Sequence, residues 1–194
     1  MTVTQPTPVL TREYEGSLVP SPGVYQIDTA HTTVEFVARH LMITKVRGRF
    51  GEFAGTITVG DVPEESSVEV TIQAGSVDTA QAQRDEHLRS ADFFDVERYP
   101  TLRFVSTEVE AERDDRWKVT GDLTVRDVTK PVVLEVEFHG GSTTPWGTQA
   151  IGFSAEAEVD REEWGLTWNQ ALETGGVLVG KKAKIEIAVE ANPV

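Results

Sequence analysis

From Gly23 onward the apolar and polar positions alternate with a period of two. Val34, Phe36 and Ala38 are interleaved with Thr33, Glu35 and Arg39; Phe53, Ile57 and Val59 with Thr56 and Thr58; Val68, Val70 and Ile72 with Glu69, Thr71 and Gln73. Later runs carry Leu102 and Phe104, then Trp117, Val119, Leu123 and Val125, then Val132, Leu134, Val136 and Phe138. Ile151, Phe153, Ala155, Ala157 and Val159 follow, and Ile185, Ile187 and Val189 close the series. Each run has one apolar and one polar face, the pattern of antiparallel strands with one side in water. The expected architecture is all-β, with about eight strands between residues 23 and 191. Several are near ten residues long, and closure into a barrel removes the edges that such strands would expose. A two-sheet sandwich is the rival arrangement.

One segment breaks the alternation. Residues 79–90 favour helix, with Asp78 as N-cap and Gln81 at the third helical position; Ser90 or Asp92 can cap a further turn carrying Phe93 and Phe94. Ala80, Arg84, His87, Leu88 and Ala91 share one face at helical spacing, with His87 expected to point down and Asp85 away. A short helix between two barrel strands is expected over a barrel end, as a lid. Residues 1–22 hold four of the nine prolines and read as a flexible N-terminal arm or a strap, leaving 23–194 as the domain.

Composition narrows the partners. The 194 residues carry 18 Lys and Arg against 32 Asp and Glu, a net charge of −14, which disfavours nucleic acid. There is no cysteine, so disulfides, thiolate metal sites and a cysteine nucleophile are excluded. No apolar run reaches the ~20 residues of a membrane helix, and the first residues lack the pattern of a signal peptide. The expected location is cytoplasmic, with membrane-peripheral attachment open.

The chemistry-bearing residues are sparse. His31, His40, His87 and His139 match no metal-ligand spacing, and no nucleophile elbow is present, so no metal, cofactor or catalytic group is expected. Asp85 and His87 lie two apart on the predicted helix and face different ways, which weakens them as an acid–base pair. The inward strand faces mix large rings with Ala38, Gly121, Ala155 and Ala157. The pattern alone leaves a ligand cavity and a packed core equally open. Lys45, Arg47, Arg49, Arg84 and Arg89, with His40 and His87, gather near the predicted lid, where they can meet an anionic head group or form ordinary salt bridges.

Four stretches carry a family resemblance. They are Val24-Tyr25-x-Ile27-Asp28-x-x-His31-x-x-Val34-x-Phe36; Val46-x-Gly48-x-Phe50-x-x-Phe53-x-Gly55; Gly121-Asp122-Leu123-Thr124 with Asp127-Val128-Thr129-Lys130-Pro131-Val132; and Arg161-x-x-Trp164-Gly165-Leu166. With the central segment Gly75–Pro100, whose core reads Arg84-Asp85-x-His87-Leu88-x-Ser90-x-Asp92-Phe93-Phe94-Asp95, they resemble the YceI-like family over about residues 23–191. The resemblance implies an eight-stranded, lipocalin-like antiparallel barrel with a short helical lid insertion. It also implies an apolar lumen for a polyisoprenoid, an isoprenoid quinone or a fatty amide- or acid-like lipid, held for storage, transport or sensing. Phe36, Ala38, Phe53, Ile57, Phe104, Leu123, Val125, Leu134, Val136, Phe153 and Ala155 are then expected to line the lumen. Arg84, His87, Leu88, Phe93 and Phe94 are expected at the lid and mouth. The Lys181-Lys182 pair departs from the acidic residues more usual at that position. A lipid-modifying enzyme using His87 and Asp85, and a ligand-free structural or homodimer-forming module, stand as alternatives.

Overall fold

The alternation becomes a hydrogen-bonded ladder in the computed structural model, which describes residues 9–113, 115–173 and 175–194. The strands are β1 (Thr11–Tyr14), β2 (Ser17–Pro20), β3 (Gly23–Ile27), β4 (Thr33–His40), β5 (Thr44–Phe50), β6 (Phe53–Val59), β7 (Ser67–Gln73) and β8 (Val77–Asp78). After helix α1 (Ala82–Arg89) come β9 (Thr101–Arg113), β10 (Arg116–Val125), β11 (Val128–Thr143), β12 (Gln149–Asp160) and β13 (Val179–Pro193). A 3₁₀ turn, Arg161–Trp164, leads into the loop before β13.

Eight strands close a ring in the order β3, β6, β7, β9, β10, β11, β12, β13, with β13 returning to β3 and every neighbour antiparallel. The expected barrel is therefore present, and closure leaves no free edge around the ring. The strand through Val34, Phe36 and Ala38 holds an unexpected place. β4 is the continuation of β3 after a corner at 28–32, and both pair with the same edge of β13, β3 at its C-terminal end and β4 from Val179 to Ala188. β5 and β8 extend the sheet beyond β4. The wall is therefore wider in the half that holds β4.

The core divides accordingly. One cluster, in the wider half, includes Val34, Phe50, Ile72, Phe104, Val119, Leu134, Ala155 and Trp164. A smaller one contains Leu10, Tyr25, Val59, Phe138, Ile151 and Ala191 at the opposite end. Leu10 belongs to the arm expected to be flexible. Residues 11–20 form the β1–β2 hairpin, with Leu10 and Val19 buried. Residues 1–8 lie outside the described residues. Glu15 and Gly16 both take positive φ (49° and 87°), which suits the twist of a two-residue hairpin turn.

Candidate ligand-binding lumen and its two ends

Directly opposed residues on antiparallel strands share a face, so the register traces the inner wall. Tyr25 opposes Ile57, Ile57 opposes Val68, Val70 opposes Phe104 and Phe104 opposes Leu123. Val119 opposes Leu134, Val136 opposes Ala155, and Ala155 opposes Ile187, which opposes Val34. The belt is apolar throughout. All eleven residues expected to line the lumen fall on this face. Phe36, Phe53, Phe104, Leu123, Val125, Leu134, Val136 and Ala155 join the larger cluster, Ile57 and Phe153 the smaller, and Ala38, opposite Ala183, lies outside both. Phe36, Phe53, Ile57, Leu123, Val136 and Phe153 are only half-buried although they face inward.

Gly121, one of the small inward-facing residues, leaves no empty volume. A Cβ there would sit 2.4 Å from the Phe104 ring, so Phe104 already fills the space over this glycine.

The connections β7–β9 and β12–β13 cover one end, because Gln73 pairs with Thr101 and Asp160 with Lys182. Here α1 is shorter than the expected 79–90. Asp78 is not its N-cap: its Oδ1 accepts from Ala80 N at 2.8 Å, Ala80 takes a left-handed φ of 59°, and Gln81 caps the helix by accepting from Arg84 N. Asp85 does not turn away to solvent. Asp85 is buried and accepts from the amide (2.8 Å) and the hydroxyl of Thr79, an acceptor role that offsets the cost of burying its charge. Arg84 donates to Thr79 Oγ1 (2.7 Å) and Thr79 O (2.8 Å), and Arg89 to Gly75 O (2.8 Å) and Val77 O (2.7 Å). Two of the four arginines expected near a head group, Arg84 and Arg89, are thus committed to the protein's own acceptors.

His87 is half-buried but does not reach a strand. Its Nε2 lies 2.9 Å from Asp92 Oδ2, and its ring meets Trp168 edge-on at 4.5 Å and Phe93 at 5.1 Å. Phe93 also packs against Trp168 at 5.5 Å. Phe94 meets Phe50 at 5.6 Å, and Leu88 and Phe94 pack on the larger cluster. The remaining basic residues of the expected mouth are mostly paired: Arg47 with Glu35 and Glu186, Arg49 with Asp78. Lys181 and Lys182 face Glu162 and Glu158.

Arg161 is the main functional residue that the sequence pattern leaves without a role. It is buried, donates to Gly180 O (3.0 Å), Leu166 O and Val179 O (3.4 Å), and so stitches the loop between β12 and β13. Burial pushes its guanidinium below the ordinary value, against the pull of Glu162 and Asp160. Its neighbour Trp164 donates Nε1 to Leu123 O at 2.9 Å, tying the same loop to the β10 wall.

The opposite end is closed by the N-terminal hairpin. Leu10 enters the smaller cluster, and a Cβ on Gly141 would come within 2.8 Å of its Cβ, so this approach needs glycine. Arg12 donates to Gly60 O at 3.3 Å and to Asp61 O, holding the hairpin against the β6–β7 connection.

A concavity of about 460 Å³ over β4, β13, β12, β11 and the start of β10 is lined by charged groups such as Glu35, Glu156, Lys184 and Glu186 together with Val136, Ala155 and Ile187. At the β3–β4 corner, Asp28, His31 and Glu190 come together, with His31 Nδ1 3.0 Å from Asp28 Oδ2 and 3.7 Å from Glu190 Oε1. No helix among the described residues is long and apolar enough to cross a membrane.

The family model for the YceI-like domain matches residues 25–191. A UPF0312 protein of Staphylococcus aureus is 38% identical over 169 residues, covering 86% of this chain and 95% of the relative, and one from Staphylococcus epidermidis matches at the same identity and coverage. Among solved structures, Burkholderia cenocepacia BcnA superposes with a TM-score of 0.75 at 19% identity, over 84% of this chain and 98% of that one. Campylobacter jejuni YCEI protein gives 0.69 at 30% identity, covering 80% and 90%. A polyisoprenoid binding domain from Saccharophagus degradans gives 0.64 at 13% identity, covering 90% and 100%.

Proposed function

The chain belongs to the YceI-like family, and from that premise we propose that it holds a long apolar molecule, an isoprenoid or fatty chain, inside the barrel. The supporting observation is the inner wall. The belt from Tyr25 round to Ile187 is apolar, yet several of its large side chains are only half-buried. Apolar surface that faces inward and stays uncovered is energetically unfavourable, and a hydrocarbon chain would cover it, gaining about 0.8 kcal/mol per buried methylene. Tens of carbons then bind tightly without a specific hydrogen bond. The ligand class is that of the Saccharophagus degradans domain, which shares this fold.

Binding fits the geometry better than turnover. Asp85 is occupied by Thr79 and His87 by Asp92 and Trp168, so the two form no acid–base pair and neither is aimed at the inner wall.

Organic extraction of the purified protein followed by mass spectrometry tests the reading: a stoichiometric lipid is expected, and an empty extract from protein offered such lipids counts against it. Ala155→Trp should fill the lumen between Val136 and Ile187, lower stability by about 1–3 kcal/mol, and abolish lipid uptake while the barrel survives. Full stoichiometry in that variant would place the ligand elsewhere.

A further inference from the structure

We propose that the β4–β5 hairpin is a membrane-docking tip, which seats the lid end of the barrel on an anionic lipid surface. The tip displays Met42 and Ile43, 51% and 80% exposed, at a turn where Leu41 and Met42 both take left-handed φ values of 53° and 59°. These values are those of a two-residue hairpin turn, as at Glu15-Gly16, and here the turn carries two bulky apolar residues where glycine or asparagine is the usual choice. The turn is held by Leu41 N donating to Leu178 O at 2.8 Å and Ile43 N to His40 O at 3.0 Å. Its apolar side chains are thereby turned out to solvent.

The charge around the tip is opposite to that of the molecule. Residues 36–51 contain four Lys or Arg and no Asp or Glu, in a chain of net charge −14. Arg39 and Lys45 are paired directly across the hairpin, where like charges destabilise a ladder. Among the described residues neither has a carboxylate within ion-pair distance, whereas Arg47 and Arg49 do. Two unneutralised cations beside an apolar tip match the interface of a bilayer, with apolar groups in the headgroup layer and cations on lipid phosphates. A two-residue patch is far smaller than a stable protein interface requires. The acidic remainder of the surface would be repelled, which leaves one orientation. His40 pairs with Val179 at the end closed by α1 and the Arg161 loop, so docking would bring the lid to the membrane.

Flotation of the full chain with phosphatidylcholine vesicles containing about 30% phosphatidylglycerol tests this, with pure phosphatidylcholine as comparison. The protein should float with the anionic vesicles and be released by salt. Met42→Ser with Ile43→Ser should weaken binding about tenfold or more. Arg39→Gln and Lys45→Gln should each weaken it about fivefold, and the two together should remove the preference for anionic lipid. Trp146→Ser, at an exposed turn on the opposite end, should change nothing. All these positions are exposed or half-buried, and circular dichroism checks the fold. Undiminished binding by the Met42/Ile43 variant, or loss caused by Trp146→Ser, overturns the proposal. So does a parent that fails to float but loses self-association on the same double substitution, which would make the tip a contact between copies. The proposal stands apart from the lumen reading: Ala155→Trp should lose its lipid and still float.

Discussion

At the lid end, Arg84, Asp85, Arg89 and Arg161 together reach Thr79, Gly75, Val77, Gly180, Leu166 and Val179; at the far end, Leu10 and Val19 are buried as apolar side chains and Arg12 supplies the hairpin's polar anchor. Both arrangements stop a tube, and both use apolar packing, with Phe93, Phe94 and Trp168 at the lid end; the lid end adds far more polar stitching. Hydrogen bonds to backbone acceptors are directional and individually modest in net worth, because water can replace each in turn as the closure opens. An apolar plug has no such intermediate, since withdrawing Leu10 exposes its whole surface at once. The lid end is therefore suited to opening in steps and the far end to staying shut. The membrane-docking tip proposed above lies at the hydrogen-bonded end.

The largest expected effect comes from Arg161. Arg161→Leu removes a buried side chain's donors to three carbonyls, of which Val179 O keeps its bond from Asn169 Nδ2 while Gly180 O and Leu166 O lose theirs, and should cost about 3 kcal/mol or more in chemical denaturation. Arg161→Lys should recover little, because one ammonium cannot span three carbonyls in the guanidinium's geometry. A loss below about 1 kcal/mol for Arg161→Leu would mean that water enters this end freely, and the contrast between the two ends would fail.

Leu10→Ala should cost about 2–4 kcal/mol, and this loss should shrink on cooling as apolar burial weakens. It should leave lipid exchange slow if the far end is only a plug. Release accelerated by Leu10→Ala and unchanged by lid substitutions would reverse the assignment of the gate.

These contrasts also show what was legible in the chain. The strands could be read because the outer face of every barrel strand meets water, which forces a period of two. The β4 branch could not be: nothing in the alternation of Val34, Phe36 and Ala38 says that β13 will accept β3 and β4 on one edge. The lid helix was visible through its departure from that period, but its orientation was not. Thr79 reaches Asp85 only because Ala80 turns left-handed, and an alanine gives no sign of such a turn. Prolines disguised the N-terminal hairpin, although Glu15-Gly16 between Tyr14 and Ser17 is a usable two-residue turn signal. Arg161 could be found only through three carbonyls that the tertiary fold brings to it.

A smaller effect is expected at His87, whose ring joins α1 to Trp168 across the lid. His87→Ala removes two edge-on aromatic contacts and the bond to Asp92, about 1–2 kcal/mol in all, and should speed exchange of a fluorescent fatty probe by about tenfold. Equilibrium affinity should change less, because the inner wall is untouched. Exchange at the parent's rate, with only a lower melting temperature, would leave His87 a structural residue and move the opening step to the Arg161 loop.

The smallest effect lies at the seam between the halves, where the chain turns from β3 into β4. Asp28 N donates to Glu190 O at 2.8 Å, Thr32 Oγ1 to the same oxygen at 3.1 Å, and the Asp28 carboxylate pairs with His31. That hydrogen bond raises the His31 imidazolium above its ordinary value, and with the Ala30 amide it holds the Asp28 carboxyl below its own. The signs follow from linkage. A raised histidine contributes stability that is complete below about pH 6.5 and is lost as pH rises through its folded value, while a depressed aspartate contributes above about pH 4 and is lost on acidification. The pair should therefore stabilise the seam only in the window between. His31 is 64% exposed, so the contribution is small and screened by salt. His31→Ala should lower the melting temperature slightly at pH 5.5 and leave it unchanged at pH 9, with the pH 5.5 difference shrinking in high salt. An equal loss at both pH values would assign His31 to packing at the corner, and the seam would then owe its hold to the hydrogen bonds that Asp28 and Thr32 make with Glu190 and Asn192.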